Sequence, residues 1–197
     1  CSILNMLEIA IWLSETEWSI ALHESLYLYP WIESAHVLSI CFFIGTLIFV
    51  DLRLMGLTFN KLPISEMNAR VLPWSIFGFF LMTLTGLLLF YAIPVRSYQN
   101  IFFRFKIFLI ILAGLNAFLF HKQMQQEGGE WDKSRNIPRS VHLKAAASLF
   151  LWSGVIISGR MIAYNWFDCD RQPQPEWVNW AAGCIVELSQ TGNYDGI

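Results

Sequence analysis

Residues 31–50 read WIESAHVLSICFFIGTLIFV, and this stretch decides the fold class. It supplies about 20 mostly apolar residues, the length that a helix needs to cross the hydrocarbon of a bilayer. Three similar stretches follow: 71–92 (VLPWSIFGFFLMTLTGLLLFYA), 101–120 (IFFRFKIFLIILAGLNAFLF) and 141–163 (VHLKAAASLFLWSGVIISGRMIA). Backbone polar groups cannot stay unpaired in lipid, so such segments are helices or parts of a closed barrel. Their length and lack of strict alternation favour helices. The expected fold is all-α: a polytopic transmembrane four-helix bundle.

Composition agrees. Hydrophobic residues make up 55% of the chain and charged residues 14%, against about 25% charged in soluble domains. Nine tryptophans and sixteen phenylalanines suit a lipid-facing surface with aromatic rims. A water-soluble core is excluded, because 197 residues cannot bury four spans of this length. Membrane lipid, not nucleic acid, is the expected surrounding partner.

Charge orients the spans. The 51–70 and 121–144 connections carry eight of the Lys and Arg residues: Arg53, Lys61, Arg70, Lys122, Lys133, Arg135, Arg139 and Lys144. The opposite side carries five, namely Arg96, Arg104, Lys106, Arg160 and Arg171. Its N-terminal arm has none, and holds Glu8, Glu15, Glu17, Glu24 and Glu33 instead. By the positive-inside bias the two connections are cytoplasmic. A bacterial inner-membrane protein with both termini periplasmic is expected.

The chain divides into an outer arm over 1–29, a four-helix domain over 30–165 and an outer tail over 166–197. Residues 4–27 read as one amphipathic helix with Leu4, Leu7, Ile11, Ser14, Trp18 and Ala21 on its apolar face and Ala10 off it. Such a helix lies in a membrane interface or caps the bundle. Tyr27, Tyr29 and Trp31 form an aromatic anchor, with Pro30 at a helix start. The connection around Asn60 to Ile64 suggests a short interfacial helix. The one containing Gln125, Gln126, Gly128 and Gly129 reads as the least structured part of the inner face. Residues 176–190 suggest a short tail helix.

Cys169 and Cys184 share the outer tail, where a disulfide is chemically permitted; two thiols shielded by the tryptophan-rich tail are the alternative. Cys41 reads as a small apolar packing residue. Cys1 before Ser2 matches either a lipid-anchored start or simply where the chain begins.

The histidines are the candidates for chemistry. His121 closes the third span and His142 opens the fourth on the same side, so they arrive at nearly equal depth. Two imidazoles at one depth can ligate both axial positions of a haem iron. Lys122, Arg139 and Lys144 lie near enough in sequence to meet haem propionates. His36 in the first span and His23 in the arm suggest a second, outer site, so that two b haems would carry electrons across the membrane. The same four histidines are the candidate ligands of copper or zinc, although no HxxxH pair supports a dedicated metal site. A hydrogen-bonded structural role is the bland alternative for each. Arg160 suits an acidic headgroup, a haem propionate or a quinone carbonyl, or serves as a snorkelling anchor. Asn116 is expected to bond across helices. Asp51, Arg53 and Arg70 gather at one boundary, each reaching a neighbouring helix. The glycines from Gly45 to Gly159 permit close helix approach or clearance for a flat ligand.

Several stretches resemble the DUF6644-like group of small bacterial integral membrane proteins of unknown function. They are His36-Val37-Leu38, Val50 to Gly56, Pro73-Trp74, Thr85-Gly86-Leu87-Leu88, Lys106, Ala113 to Ala117, Phe120-His121, Lys144-Ala145-Ala146 and Ser158 to Tyr164. The likeness covers about residues 30–165 and implies a four-helix membrane bundle without an assigned reaction. More loosely, the first span resembles helices of copper-resistance membrane proteins and of a haem-binding protoporphyrinogen oxidase family. The leading expectation is a cytochrome b-like haem-binding subunit exchanging electrons with a quinone or a respiratory or periplasmic redox partner. A non-catalytic anchor or assembly subunit without cofactor, and a copper-handling protein, are the alternatives.

Overall fold

A computed structural model describes residues 2–58, 62–134, 138–164, 166–167, 169 and 173–184, with the side chains of 2–5, 128–130 and 132–134 set aside. Lys61, Lys133, Arg135 and Arg171, whose charge entered the orientation above, fall outside the described residues or side chains, as do Cys1 and Asn60. The described chain is helical: α1 (Ser2–Ser14), α2 (Glu17–Glu24), α3 (Leu28–Leu54), α4 (Ile64–Ala92), α5 (Pro94–Tyr98), α6 (Ile101–Ser134), α7 (Arg139–Ile162) and α8 (Glu176–Ala182).

Four helices, α3, α4, α6 and α7, are long and apolar enough to cross a membrane. Their outward surface is as apolar as their packed one. Phe80, Leu87, Ile111, Phe118, Leu143 and Phe150 are all exposed. A helix in water shows one apolar stripe and a polar back, whereas helices apolar all round belong in lipid or a large core.

Prolines mark the starts. Pro63, Pro138 and Pro175 are the N-cap residues of α4, α7 and α8, and Pro94 opens α5. Pro30 lies in the first turn of α3, where its missing N–H leaves no helical bond unmade. Gly183 ends α8 at φ 70°, a left-handed conformation that glycine adopts without a Cβ clash.

The strongest packing joins α3 to α4 and α6 to α7; α3 also meets α7, and α4 meets α6. Two layers result. Phe43, Ile44, Met82, Leu109, Ala113, Trp152 and Val155, drawn from all four helices, form the first. Leu54, Ile64, Trp131, Val141 and Ala145 form the second, toward the α6–α7 connection. At the other end α1 rests on α5 and α4, α2 on α4 and α3, and α8 on α6. This is the platform end.

Three local expectations are corrected. The arm is two helices broken after Ser14, not one over 4–27. Leu7, Ala10 and Ser19 are its buried residues, while Trp18 is 80% exposed. The break resets the helical phase: Ser19 points inward and donates to Tyr91 O (2.7 Å). Second, α4 runs unbroken from Ile64, and among the described residues of the connection before it no separate interfacial helix occurs; Asn60 and Lys61 lie outside them. Third, the glycine-containing 121–134 stretch continues α6 instead of forming a loop. Good helix formers at 122–127 carry it, and Trp131, 4% exposed against Leu54, Ile64, Val141 and Ala145, holds its far end.

Candidate functional site

Moving one or two turns from the large core layer toward the platform end, along the same faces, reaches His36 on α3, Thr85 and Gly86 on α4, Lys106 on α6 and Gly159 on α7. His36 stands seven residues before Phe43, and Gly86 four after Met82. Lys106 is three before Leu109, and Gly159 four after Val155. These are helical repeats, so each site residue shares its stripe with a core residue. Four helices thereby converge on one polar layer inside an apolar packing.

His36 Nδ1 lies 2.9 Å from Thr85 Oγ1. The Thr85 hydroxyl hydrogen is directed at Leu81 O (2.7 Å), so its oxygen accepts and Nδ1 donates. With the proton on Nδ1, the neutral imidazole keeps a lone pair on Nε2. A Cβ at Gly86 would stand 3.1 Å from His36 Cε1 and 3.7 Å from Nδ1. Gly86 therefore gives the half-buried ring its place against α4.

Lys106 is half-buried as well, with Nζ 3.4 Å from where a Cβ at Gly159 would stand. Among the described residues no carboxylate or carbonyl pairs with it. Lys106 lies one to two turns inside the platform end of α6.

The residues singled out by sequence distribute differently. His121 is exposed, and its Nε2 is 3.0 Å from Gln125 Nε2 one turn along the same helix. His142 Nδ1 is 3.2 Å from Pro138 O. The two lie at one level, since Gln123 Nε2 reaches Ser140 Oγ (3.3 Å) and Lys144 Nζ reaches Gln123 Oε1 (2.6 Å). No hydrogen bond or ring contact joins them among the described residues. On α6 the face turned to α7 carries Asn116, Phe120 and Gln123, and His121 lies well round from Gln123. Asn116 Nδ2 donates to Lys144 O (2.9 Å), a bond between helices. His23, exposed on α2, packs edge-on against Tyr29 at 6.4 Å and is not joined to His36. Arg160 is exposed and stacks over Tyr164 (5.1 Å).

At the opposite end Asp51 is buried and hydrogen-bonds the Ser148 side chain, while its Oδ2 has no partner among the described residues. Arg53 is turned away, donating to Leu62 O at 3.0 and 2.7 Å. Cys169 and Cys184 are joined in a disulfide. Arg104 holds the same tail, donating to Tyr98 O (3.0 Å), Ala181 O (2.6 Å) and Ala182 O (2.8 Å). No group of three or more His, Cys, Asp or Glu residues suited to a metal ion occurs among the described residues.

The profile of a family of unknown function, DUF6644, matches residues 25–165. The chain belongs to the DUF6644 family. The match spans the four long helices and leaves α1, α2 and α8 outside it. No curated protein and no solved structure matches the chain. In this DUF6644 protein, His36, Thr85-Gly86, Lys106 and Gly159 all lie within the matched region. Sequence reasoning missed Thr85 and Lys106 as site residues. Their signal was spacing, each three residues from a large core side chain on its own helix.

Proposed function

We propose that this protein is a haem-binding membrane redox subunit. Its site is the layer of His36, Thr85, Gly86, Lys106 and Gly159, and it passes electrons to or from a quinone or a partner redox protein. The observation that carries this reading is the bond between His36 and Thr85. An imidazole that ligates a metal usually donates its other ring N–H to a fixed acceptor, which sets tautomer and orientation. His36 has that arrangement, with Nδ1 engaged and Nε2 available. Haem, when bound, supplies one-electron chemistry whose potential the axial ligand and the local dielectric tune.

The remaining residues have definite tasks. Gly86 makes room for the His36 ring and Gly159 for the Lys106 ammonium. Lys106 offers positive charge within the layer. The Phe43, Met82, Leu109 and Trp152 layer excludes water on the side facing the α6–α7 connection. His142, with Nδ1 on the Pro138 carbonyl, has a comparable arrangement; this reading favours His36 for its place in a layer lined by all four long helices, and over His121 because that ring is exposed and engaged through Nε2 by Gln125. It also has the four long helices crossing the bacterial inner membrane as a bundle, the platform end outside. The Cys169–Cys184 disulfide supports that orientation, since disulfides persist in oxidising compartments.

Reduced-minus-oxidised spectra of protein purified from membranes test the proposal. Haem bands and pyridine-extractable haem are expected in the wild type, lost in His36→Ala and kept in His121→Ala and His142→Ala. A featureless wild-type spectrum without extractable haem sinks the haem reading and leaves a non-catalytic anchor. Stoichiometric copper without haem turns the assignment to copper handling.

A further inference from the structure

An apolar groove of about 230 Å³ opens where α3 ends and α4 begins, lined by Phe49, Leu62, Glu66, Met67, Arg70 and Val71. Phe49 and Leu62 are exposed, so the groove is continuous with the apolar outer surface of the long helices. Two arginines stand at its rim. Arg53 donates from Nε (3.0 Å) and Nη2 (2.7 Å) to the carbonyl of Leu62, whose residue also lines the groove. Its Nη1 has no partner among the described residues. Arg70 donates from Nη2 to Glu66 Oε1 (2.6 Å), one turn back on α4. Its other guanidinium nitrogens have no partner among the described residues either. The Glu66–Arg70 pair is exposed, and exposed ion pairs hold their partners weakly. Two arginines against one glutamate leave this rim with one positive charge in excess and planar donors to spare.

We propose that the groove holds an acyl chain of an anionic phospholipid whose phosphate is bound by Arg53 and Arg70. The occupant follows from the setting. Both α3 and α4 are long and apolar enough to cross a membrane, and the groove sits at their shared end, where hydrocarbon gives way to headgroups. Basic pockets between membrane helices at that level take acidic headgroups. A guanidinium is weakly hydrated and offers a fork of N–H donors that matches phosphate oxygens. A zwitterionic lipid carries the same phosphate, but its ammonium adds to the excess positive charge of the rim. A headgroup that ends in hydroxyls does not. Glu66 competes with the phosphate for Arg70, so it lowers affinity for an anion. None of these residues belongs to the His36 layer, so the inference stands apart from the haem reading.

Native mass spectrometry of the delipidated full chain tests this, with phosphatidylglycerol, phosphatidylethanolamine and phosphatidylcholine of identical chains titrated into the detergent. The wild type is expected to bind phosphatidylglycerol more tightly than either zwitterionic lipid by roughly fivefold, the effect of one basic residue at a membrane surface. Arg53→Gln and Arg70→Gln are each expected to remove most of that preference. Arg160→Gln, at the opposite end of the bundle, is expected to leave it intact. Glu66→Gln is expected to raise the affinity for phosphatidylglycerol. Val71→Trp, which fills the groove, is expected to weaken all three lipids alike. Equal wild-type affinity for the three, or no bound lipid, overturns the inference, and needs no variant that folds. A preference that survives in both arginine variants overturns it too, as does undiminished binding in Val71→Trp. Phosphatidylethanolamine bound best, and released in Glu66→Gln, assigns the rim to a zwitterionic headgroup and overturns it. Displacement of phosphatidylglycerol by excess inorganic phosphate marks a site for the free anion and overturns it as well.

Discussion

Phe43 Cα lies 3.2 Å from the point where a Cβ on Gly78 would stand, and Phe43 Cβ is equally near. Phe42 Cδ1, on a side chain, comes nearer still at 2.8 Å, but the Phe43 backbone cannot swing aside as that ring can, so α3 and α4 approach as closely as a missing side chain allows. Phe43 is itself 5% exposed and packs edge-on against Trp152 at 4.8 Å, so it has nowhere to retreat. Small residues let helix backbones meet in this way, and dispersion contacts then hold them.

Substituting Gly78 by Val is accordingly expected to push α3 from α4 and to lower stability by about 1–3 kcal/mol, the usual cost of overpacking. Gly45→Ala and Gly114→Ala, where a new Cβ meets nothing within 4 Å, are the controls and are expected to change little. Thermal unfolding in detergent, read by circular dichroism, checks this. Equal midpoints for all three variants refute the close-packing account.

Thr85→Val keeps the shape of the side chain and removes the acceptor for His36 Nδ1. Leaving that donor unpaired costs about 1–3 kcal/mol, whereas Thr85→Ser, which keeps the oxygen, is expected to stay near wild type. Nitrogen-15 NMR of labelled histidine gives a second readout. Nδ1 is expected to be the protonated nitrogen of His36 in the wild type, with the tautomers mixed in Thr85→Val. An Nε2-protonated ring in the wild type contradicts the donor assignment.

Trp131→Ala removes a buried large apolar side chain that holds the end of α6 against Leu54, Ile64, Val141 and Ala145. A loss of about 3–5 kcal/mol is typical for such a truncation. The effect is expected to concentrate on 122–134, where amide exchange rises while 101–118 stays protected. Uniform change along α6 contradicts a local anchor.

Arg104→Ala is expected to free α8 from the platform, since the guanidinium accounts for the bonds to Ala181 O and Ala182 O. The disulfide between Cys169 and Cys184, closing a separation of 15 residues, limits how far the released helix travels. It contributes about 3 kcal/mol by loop-closure entropy. Limited proteolysis is expected to cut the tail slowly in Arg104→Ala, slowly in Cys169→Ser, and fast only in the combination. Fast cutting in either single variant shows that the two restraints are not independent.

How much was legible follows from what helices fix locally. The four long apolar segments at 31–50, 71–92, 101–120 and 141–163 coincide with α3, α4, α6 and α7, because length and hydropathy alone make a helix of that kind. Their ends were less legible. Polar residues 122–134 look like a loop until Trp131 is seen to be buried, and only the packing of α3, α4 and α7 around it supplies that burial. The arm shows the same gap, for the phase change between Ala10 and Ser19 depends on Tyr91 O being available to bond.

What the chain by itself determined is depth. An α-helix rises 1.5 Å per residue whatever surrounds it, so counting residues puts His121 and His142 at one level, and His36, Gly86, Lys106 and Gly159 at another. Only tertiary structure decided direction around each axis. Rotation is set by which side chains interdigitate, and those contacts lie far apart in sequence: Gly78 on Phe43, Leu109 against Gly154, Gly86 on His36. That rotation turns His121 away from α7 and brings Lys106 Nζ against Gly159.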